Sequence, residues 1–474
     1  MSYTEIQPAA AAAPPPAGLR AGALGFPALL AQSVALISPT MTAALIIPLA
    51  FASAGSGTWM AYLFGTGMLL FVAFNLNQFA RRSTSPGSMY AYVGRGLGPV
   101  SGVLSGWTLL WCYLFIGIAG MTGFTIFGRE LLSLMGIHTA IPSVVFFVVL
   151  GAIAWALAVK DVRLSSMLTL ALEGISVLCI LALAVVVVFA HGIHVDTAQL
   201  SLHGTSARGM SLAVVACIFS LVGFESATAL GGEARNPLRN IPRAVVWSLV
   251  IAGLFFVVMS YVEVYGTRNS SATLDTLAMP LNTLADLESV GYFKFPIDLG
   301  ATISFFALSL SCLNAGARLI YPMARHSLFP APLGKAHAAN ATPAPALTAY
   351  IVLMVAVPAI SSSQTDVLTI FNDAGTLAAF GFLLAYFMIA VAAPMYLRKL
   401  GDLTRRATLI SALAFVFLLV PTIGSFYPLP PWPINLFPYL FLTYLLLGAA
   451  WLYLSTRRHP GILTQIETDL ESPA

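Results

Sequence analysis

Two glutamates stand inside long apolar stretches of the chain. Glu225 lies in SLVGFESATALGG, residues 220–232, and Glu173 lies in MLTLALEGISVL, residues 167–178. A charged group at the centre of a membrane helix costs about 2.5–3.5 kcal/mol on insertion scales, so it is usually paired, protonated or turned toward water. Both glutamates are therefore candidates for binding a proton. The simpler alternatives are a permanently protonated acid bonded to backbone for Glu225 and a hydrogen bond between helices for Glu173.

The composition indicates that most of the chain faces lipid. Of its 474 residues, 58% are hydrophobic and 8% are charged, whereas soluble domains are about 25% charged. A helix of roughly 20 apolar residues crosses the hydrocarbon core of a bilayer. Twelve runs fit that length: 27–54, 58–79, 99–127, 141–158, 165–190, 210–230, 245–265, 297–320, 343–360, 367–391, 407–420 and 434–454. The sequence thus predicts an all-α integral membrane protein with twelve spans, of which span eleven is short and could extend through Pro421.

The basic residues predict the orientation of the spans, because Lys and Arg are retained on the cytoplasmic side during insertion. With the N-terminus inside, every Lys and Arg falls in an inner segment except Arg129, Arg208, Arg268 and Lys294. Arg318 is counted among the inner-loop residues in this assignment. A multi-pass protein of the cell membrane is predicted, with a flexible cytoplasmic tail at 1–24 and a second cytoplasmic tail at 456–474.

Two spans contain residues that interrupt helices. Pro39 in span one lacks an N–H and clashes with the preceding turn, which predicts a break or kink near Ser38. Gly223 in span six is a weak helix former that allows close approach of backbone or ligand. The two positions are five spans apart, so the second helix enters from the opposite side of the membrane. Paired broken helices of this kind form midplane binding sites in many secondary transporters, although each residue alone is also compatible with an ordinary kink or packing position.

Three ordered motifs carry a resemblance to a known family. They are FSLVGFESATALGGEARNPLRNIPRAV at 219–245, SPGSMYAYVGRGLGP at 85–99 and ARLIYPMARHSLFPAPLGKAH at 317–337. Together with the twelve-span plan they resemble permeases of the amino acid–polyamine–organocation superfamily. The resemblance implies a LeuT-like fold.

In that fold, five helices are repeated in inverted orientation. The first repeat would occupy 25–192 and the second 209–393, followed by two added helices at 405–455.

The resemblance also implies where a substrate binds. The implied substrate-binding residues are Thr40, Met41, Thr42 and Ala43 in span one, and Phe219, Ser220, Val222 and Gly223 in span six. Phe219 would act as an aromatic gate. The family usually has a Gly-rich break in span one that holds the carboxylate of an amino acid. Here Met41, Thr42 and Ala43 occupy those positions, which puts a standard α-amino-acid substrate in doubt.

Three acidic residues are implied to couple or gate transport. Glu225 would link occupancy of the cavity to closure of a gate. Several family members carry a lysine near Glu173 that stands in for sodium, so an acid there could bind a proton or, with Ser309 and Ser311, help to hold a cation. Asp373, toward the outer end of span ten, is interpreted as a gate or cap residue.

The sequence therefore predicts a secondary active permease that moves an amino acid or a related small amine by alternating access, with proton coupling or exchange. The alternatives are an ion channel and an integral-membrane enzyme. No cofactor, metal site or nucleic-acid partner is predicted. The expected partners are a small-molecule substrate, the lipid bilayer and a proton, and the sequence does not specify the coupling ion or the oligomeric state.

Overall fold

The computed structural model describes residues 22–83, 88–139, 141–160, 162–192, 194–268, 270, 272–277, 279–427 and 432–471. The side chains at 162–166, 168–170, 172, 470 and 471 are excluded from this description. The predicted N-terminal tail lies outside the described residues up to position 21, and so does part of the 85–99 motif.

Eleven helical segments in the described chain are long and apolar enough to cross a membrane. The first, Phe26–Ala80, contains 55 residues, more than twice the roughly 20 that one crossing needs. It is interrupted at Ser38 and again at Gly55–Gly57, so it supplies spans one and two. The described part of the chain therefore contains twelve spans, and the prediction of an all-α membrane protein is confirmed.

The spans follow one another in the predicted order. Span one consists of Phe26–Ile37 and 39–54, and span six consists of Ala207–Leu221 and Ser226–Glu233. The remaining spans, two to five and seven to twelve, are Thr58–Ala80, Pro99–Leu134, Ser143–Lys160, Val162–Ala190, Pro237–Gly266, Lys294–Arg325, Ala344–Ser361, Val367–Lys399, Arg405–Phe426 and Phe437–Arg458. Short helices outside the spans are Met89–Leu97, Thr197–Leu200, Pro280–Leu287 and Ile462–Glu471.

Burial separates a central group of spans from a peripheral one. In span ten, 78% of the most apolar window is buried, whereas in span eleven the share is 22%. The segment that supplies spans one and two resembles span ten, as do spans three, six and eight, whereas spans four, five, nine and twelve are largely exposed like span eleven. The exposed apolar side chains of the peripheral spans are suited to contact with lipid, and the buried central spans provide the framework for a site.

Small residues allow the central spans to pack closely. In span three, a side chain at Gly120 would overlap Ser309, and one at Gly123 would overlap the Phe305 ring. Both partners belong to span eight. Close backbone approach at small residues is how membrane helices gain packing contacts without a hydrophobic driving force.

Two sequence predictions about the spans are settled by these bounds. Span eleven does extend through Pro421, since the helix runs from Arg405 to Phe426. The assignment of Arg318 to an inner loop is wrong, because Arg318 lies inside the helix of span eight and is completely buried. A buried cationic side chain needs a carboxylate partner, and span six supplies one, described below.

Both predicted tails contain ordered segments. Leu24, assigned to the flexible tail, is fully buried and exchanges backbone hydrogen bonds with Glu233 and Arg235. In the C-terminal segment, Ile462–Glu471 is a helix that packs against Met89–Leu97. His326 Nε2 lies 3.1 Å from the Asp469 carboxylate of this helix. Burial lowers the pKa of His326 below its ordinary value.

Candidate functional site

Span one is broken at Ser38. This residue has the left-handed backbone angles φ 50° and ψ 76°, and the chain continues with Pro39 as the first residue of the next helical segment. Proline fits the first helical position because no N–H is needed there. The following residues, Thr42–Ile46, form a π-helical turn. The break predicted near Ser38 is confirmed.

Span six is broken at Val222 and Gly223. Val222 has extended backbone with φ −61° and ψ 151°, and Gly223 has φ 100°. Other L-residues rarely adopt this φ. A side chain at Gly223 would also overlap Leu36 of span one. Glycine is therefore required here both by conformation and by the close approach of the two broken helices.

Hydrogen bonds join the two broken helices to each other. Ser33 Oγ donates to the Phe224 carbonyl over 2.8 Å and accepts from the Ala227 N–H over 3.1 Å. Leu36, further along span one, lies against the earlier Gly223 of span six. Later residues of span one therefore contact earlier residues of span six, as expected for antiparallel helices that meet at their breaks.

Glu225 lies at the break of span six and is completely buried. Its Oε2 accepts the Gly223 N–H over 3.1 Å and the Tyr386 hydroxyl over 2.9 Å, and its Oε1 accepts the Tyr113 hydroxyl over 3.3 Å. A tyrosine hydroxyl can donate to a carboxylate or accept from a carboxylic acid. Spans three and ten therefore surround this acid with groups that suit both of its protonation states.

Glu173 lies at the break of span one. Its Oε1 accepts both the backbone N–H and the hydroxyl of Thr40, each over 3.2 Å, and its Oε2 accepts the Ser304 hydroxyl. Ser304 Oγ is also 3.2 Å from Ser38 Oγ. The acid from span five therefore joins the first break to span eight, with its charge against the N-terminal end of a helical segment, where negative charge is stabilised.

The sequence predicts Ser309 and Ser311 beside Glu173. Ser309 instead donates to the Gly117 carbonyl over 3.3 Å, and Ser311 Oγ has no hydrogen-bond partner among the described residues. Neither hydroxyl is hydrogen-bonded to Glu173 in the described residues, and their help in holding a cation stays a prediction. Thr40 of span one and Ser304 of span eight hold the Glu173 carboxylate instead.

The structure places the other implied substrate residues close to the breaks. Met41, Thr42 and Ala43 are buried in the helical turn that follows the first break, and Thr42 Oγ1 has no partner in the described part of the chain. Ser220 Oγ lies 3.1 Å from the Tyr62 hydroxyl. Val222 is the first residue of the second break, directly before Gly223.

Phe219 borders a cavity of about 420 Å³ between spans one, six, ten and eleven. Its ring lies against Gly375 of span ten, where a side chain would overlap it. The cavity is lined by Leu49, Ser53, Leu212, Val215, Ala216, Phe219, Asn372, Gly375, Thr376, Ala379, Phe380, Gly424, Ser425 and Ile434. Phe219 thus contributes an aromatic ring to the wall of this cavity.

Asp373 is partly exposed near the beginning of span ten. It is not the cap of the helix, because span ten begins at Val367 and Asp366 accepts the Thr369 N–H over 2.9 Å as the N-cap. The hydroxyl of Thr369 also donates to Asp366. The two hydrogen bonds lower the pKa of Asp366 below its ordinary value. A gating role for Asp373 stays a prediction.

Sequence reasoning missed an ion pair in which both side chains are almost completely buried. Arg318 of span eight donates to both carboxylate oxygens of Glu233 at the end of span six, over 2.5 and 3.2 Å. The Asn314 side chain accepts a further bond over 3.0 Å. An arginine within an apolar window was the available signal, but its partner is 85 residues away in the chain.

Within the residues that the structure describes, no three His, Cys, Asp or Glu side chains are grouped so that they could bind a metal ion. The acids at the two breaks have hydroxyl and N–H partners. A carboxyl group among hydroxyl and N–H partners can take up and release a proton, so the meeting point of the broken helices is suited to proton binding.

Comparison with known proteins places this chain among transporters. The sequence model described as amino acid permease matches residues 29–456. The chain is 24% identical over 431 residues to the branched-chain amino acid permease BcaP of Bacillus subtilis (strain 168), covering 86% of this chain and 87% of that protein. It is 27% identical to the low-affinity putrescine importer PlaP of Escherichia coli (strain K12), covering 68% and 71%.

A solved structure of a Na⁺-coupled sialic acid symporter, in a substrate-bound outward-open state, has the same overall fold. The TM-score is 0.54 at 13% identity, covering 86% of this chain and 91% of that one. At this identity the likeness concerns the fold alone.

Proposed function

Because the chain belongs to the amino acid permease family and is a multi-pass secondary transporter, we propose that it moves a small amine or amino acid by alternating access, with Glu225 as the proton-binding residue. The observation that carries this proposal is the position of Glu225. Its carboxylate accepts the Gly223 N–H of the second break. A change of protonation there alters a contact of the broken helix itself.

An amine without an α-carboxylate fits the first break better than a standard α-amino acid does. Half-helix N-termini hold anionic substrate groups in transporters of this architecture. Here the Thr40 N–H already donates to Glu173. A substrate carboxylate would have to displace this internal acid, whereas an amine would be attracted by it.

We place the protein in the cell membrane with both termini in the cytoplasm. The excess of basic residues at one end of the spans supports this orientation. The cavity beside Phe219 then opens toward the outside, and the Arg318–Glu233 pair lies toward the cytoplasm.

Uptake into proteoliposomes tests the proposal against its alternatives. A thermal-shift screen of amines and amino acids first identifies a ligand, since ligands that bind the folded state raise its apparent stability. Saturable flux with counterflow is the expected result. Conductance without saturation would indicate a channel, and chemical turnover of the compound would indicate an enzyme.

Replacement of Phe219 by Leu is expected to weaken the binding of a cationic substrate. Leucine keeps the apolar bulk against Gly375 but removes the aromatic face, which contributes roughly three- to thirty-fold in affinity for a cation. The measurement is the substrate dissociation constant of the purified variant. Wild-type affinity would show that the substrate does not contact this ring.

Replacement of Glu173 by Gln is expected to change the ion dependence of transport while keeping the fold. The amide oxygen can still accept from Thr40, but the side chain no longer binds a proton or a cation. Glu173→Ala should also lower stability by about 1–3 kcal/mol, because the buried Thr40 N–H loses its acceptor. Uptake at varied pH and sodium concentration measures the effect, and unchanged dependence on both would make Glu173 a purely structural residue.

A further inference from the structure

A second cavity, of about 400 Å³, lies between the end of span two and the beginning of span seven. It is lined by Phe74, Arg81, Leu238, Arg239, Pro242, Arg243, Val246 and Trp247. Asn77 Nδ2 donates to the Pro242 carbonyl over 3.1 Å and is buried, so the two helices are held together beside the cavity. The cavity is therefore bounded by fixed helices on both sides.

Three exposed arginines line this cavity. In the part of the chain that the structure describes, Arg81, Arg239 and Arg243 donate no side-chain hydrogen bond and form no ion pair. Arg239 and Arg243 lie four residues apart in the first two turns of span seven, which places them on one face. The positive end of the helix disfavours cations there. All three arginines are exposed, so water can satisfy their donors when no ligand is bound. Three guanidinium groups on one cavity still favour an anion, and their planar donors match phosphate oxygens.

The other wall of the cavity is apolar and exposed. The exposed fractions are 53% for Trp247, 45% for Leu238 and 40% for Phe74. An inorganic anion would leave this wall uncovered, whereas acyl chains would cover it. Tryptophan is also enriched at the level of lipid headgroups.

We propose that this cavity binds an anionic phospholipid, with the headgroup phosphate held by Arg81, Arg239 and Arg243 and the acyl chains against Phe74 and Trp247. In the proposed orientation the site faces the cytoplasmic leaflet, whose anionic surface attracts basic residues. Only the short link 234–236 separates the cavity's helix from Glu233 at the end of span six. The bound lipid therefore holds the start of span seven next to the broken helix.

Lipid binding to the purified full-length protein tests this site. The protein in detergent is titrated with dioctanoyl phosphatidylglycerol, dioctanoyl phosphatidylcholine or inorganic phosphate, and bound species are counted by native mass spectrometry. We expect tighter binding of phosphatidylglycerol than of phosphatidylcholine. Replacing each of the three arginines by Gln should weaken phosphatidylglycerol binding about five-fold, and replacing all three about a hundred-fold.

Arg82→Gln is the matched control. Arg82 is adjacent in sequence but pairs with the Asp402 carboxylate over 3.4 Å and does not line the cavity, so its replacement should leave phosphatidylglycerol affinity unchanged. If the wild-type protein bound phosphatidylglycerol and phosphatidylcholine with equal affinity, that result alone would overturn the proposal. Displacement of lipid by equimolar phosphate would assign a free-anion site instead. If the arginine variants bound phosphatidylglycerol as tightly as the wild-type protein does, this cavity would be excluded as the binding site.

Discussion

Glu225→Gln is expected to remove most uptake driven by a pH gradient while leaving substrate binding nearly intact. The glutamine oxygen can still accept from Gly223 N–H or Tyr386, so the broken helix keeps its packing. The side chain no longer exchanges a proton. Coupling free energies between two binding events are typically 1–3 kcal/mol, so driven uptake should fall by about 5- to 150-fold.

The measurement compares gradient-driven uptake with counterflow in the same proteoliposomes. Counterflow needs no net proton movement and should persist in the variant. Glu263→Gln is the matched control, because Glu263 of span seven is also completely buried but its carboxylate has no hydrogen-bond partner among the described residues. A loss of driven uptake in both variants would indicate a general effect of removing a buried acid. Unchanged driven uptake in Glu225→Gln at every pH would exclude Glu225 as the coupling residue.

Arg318→Met is expected to destabilise the folded protein by about 3–5 kcal/mol, because removal of one partner leaves the other charge buried and uncompensated. The remaining Glu233 is almost completely buried at the end of span six. The backbone carbonyl of Glu233 also accepts the Leu24 N–H over 3.0 Å. The loss of stability should therefore affect the N-terminal segment around Leu24 as well as spans six and eight.

The double variant Glu233→Met, Arg318→Met distinguishes a lost ion pair from lost packing. With both charges removed, much of the stability should return, since buried ion pairs are often replaced by apolar residues at little cost. Thermal unfolding in detergent measures the effect. Arg325→Gln, at an exposed position near the end of the same helix, should stay within about 0.5 kcal/mol of wild type. Wild-type stability of Arg318→Met would contradict the uncompensated-charge argument.

The sequence by itself determined the twelve spans and the two breaks. Apolar length is a property of a continuous segment, and the effects of Pro39 and Gly223 on the backbone are local. The number of spans and the interruptions at Ser38 and Gly223 were therefore predictable. The family resemblance was also correct, because its motifs are continuous in the chain.

The tertiary structure alone decided which groups meet at those breaks. Tyr386 reaches Glu225 from 161 residues away, and Ser304 reaches Glu173 from 131 residues away. Arg318, read as a loop residue, is a buried partner of Glu233. Such pairings depend on the rotation and register of helices packed across the bundle, and a one-residue rotation turns a side chain by about 100°. Nothing in a local stretch specifies that rotation, so the chemical surroundings of both acids emerge only when the central spans are assembled.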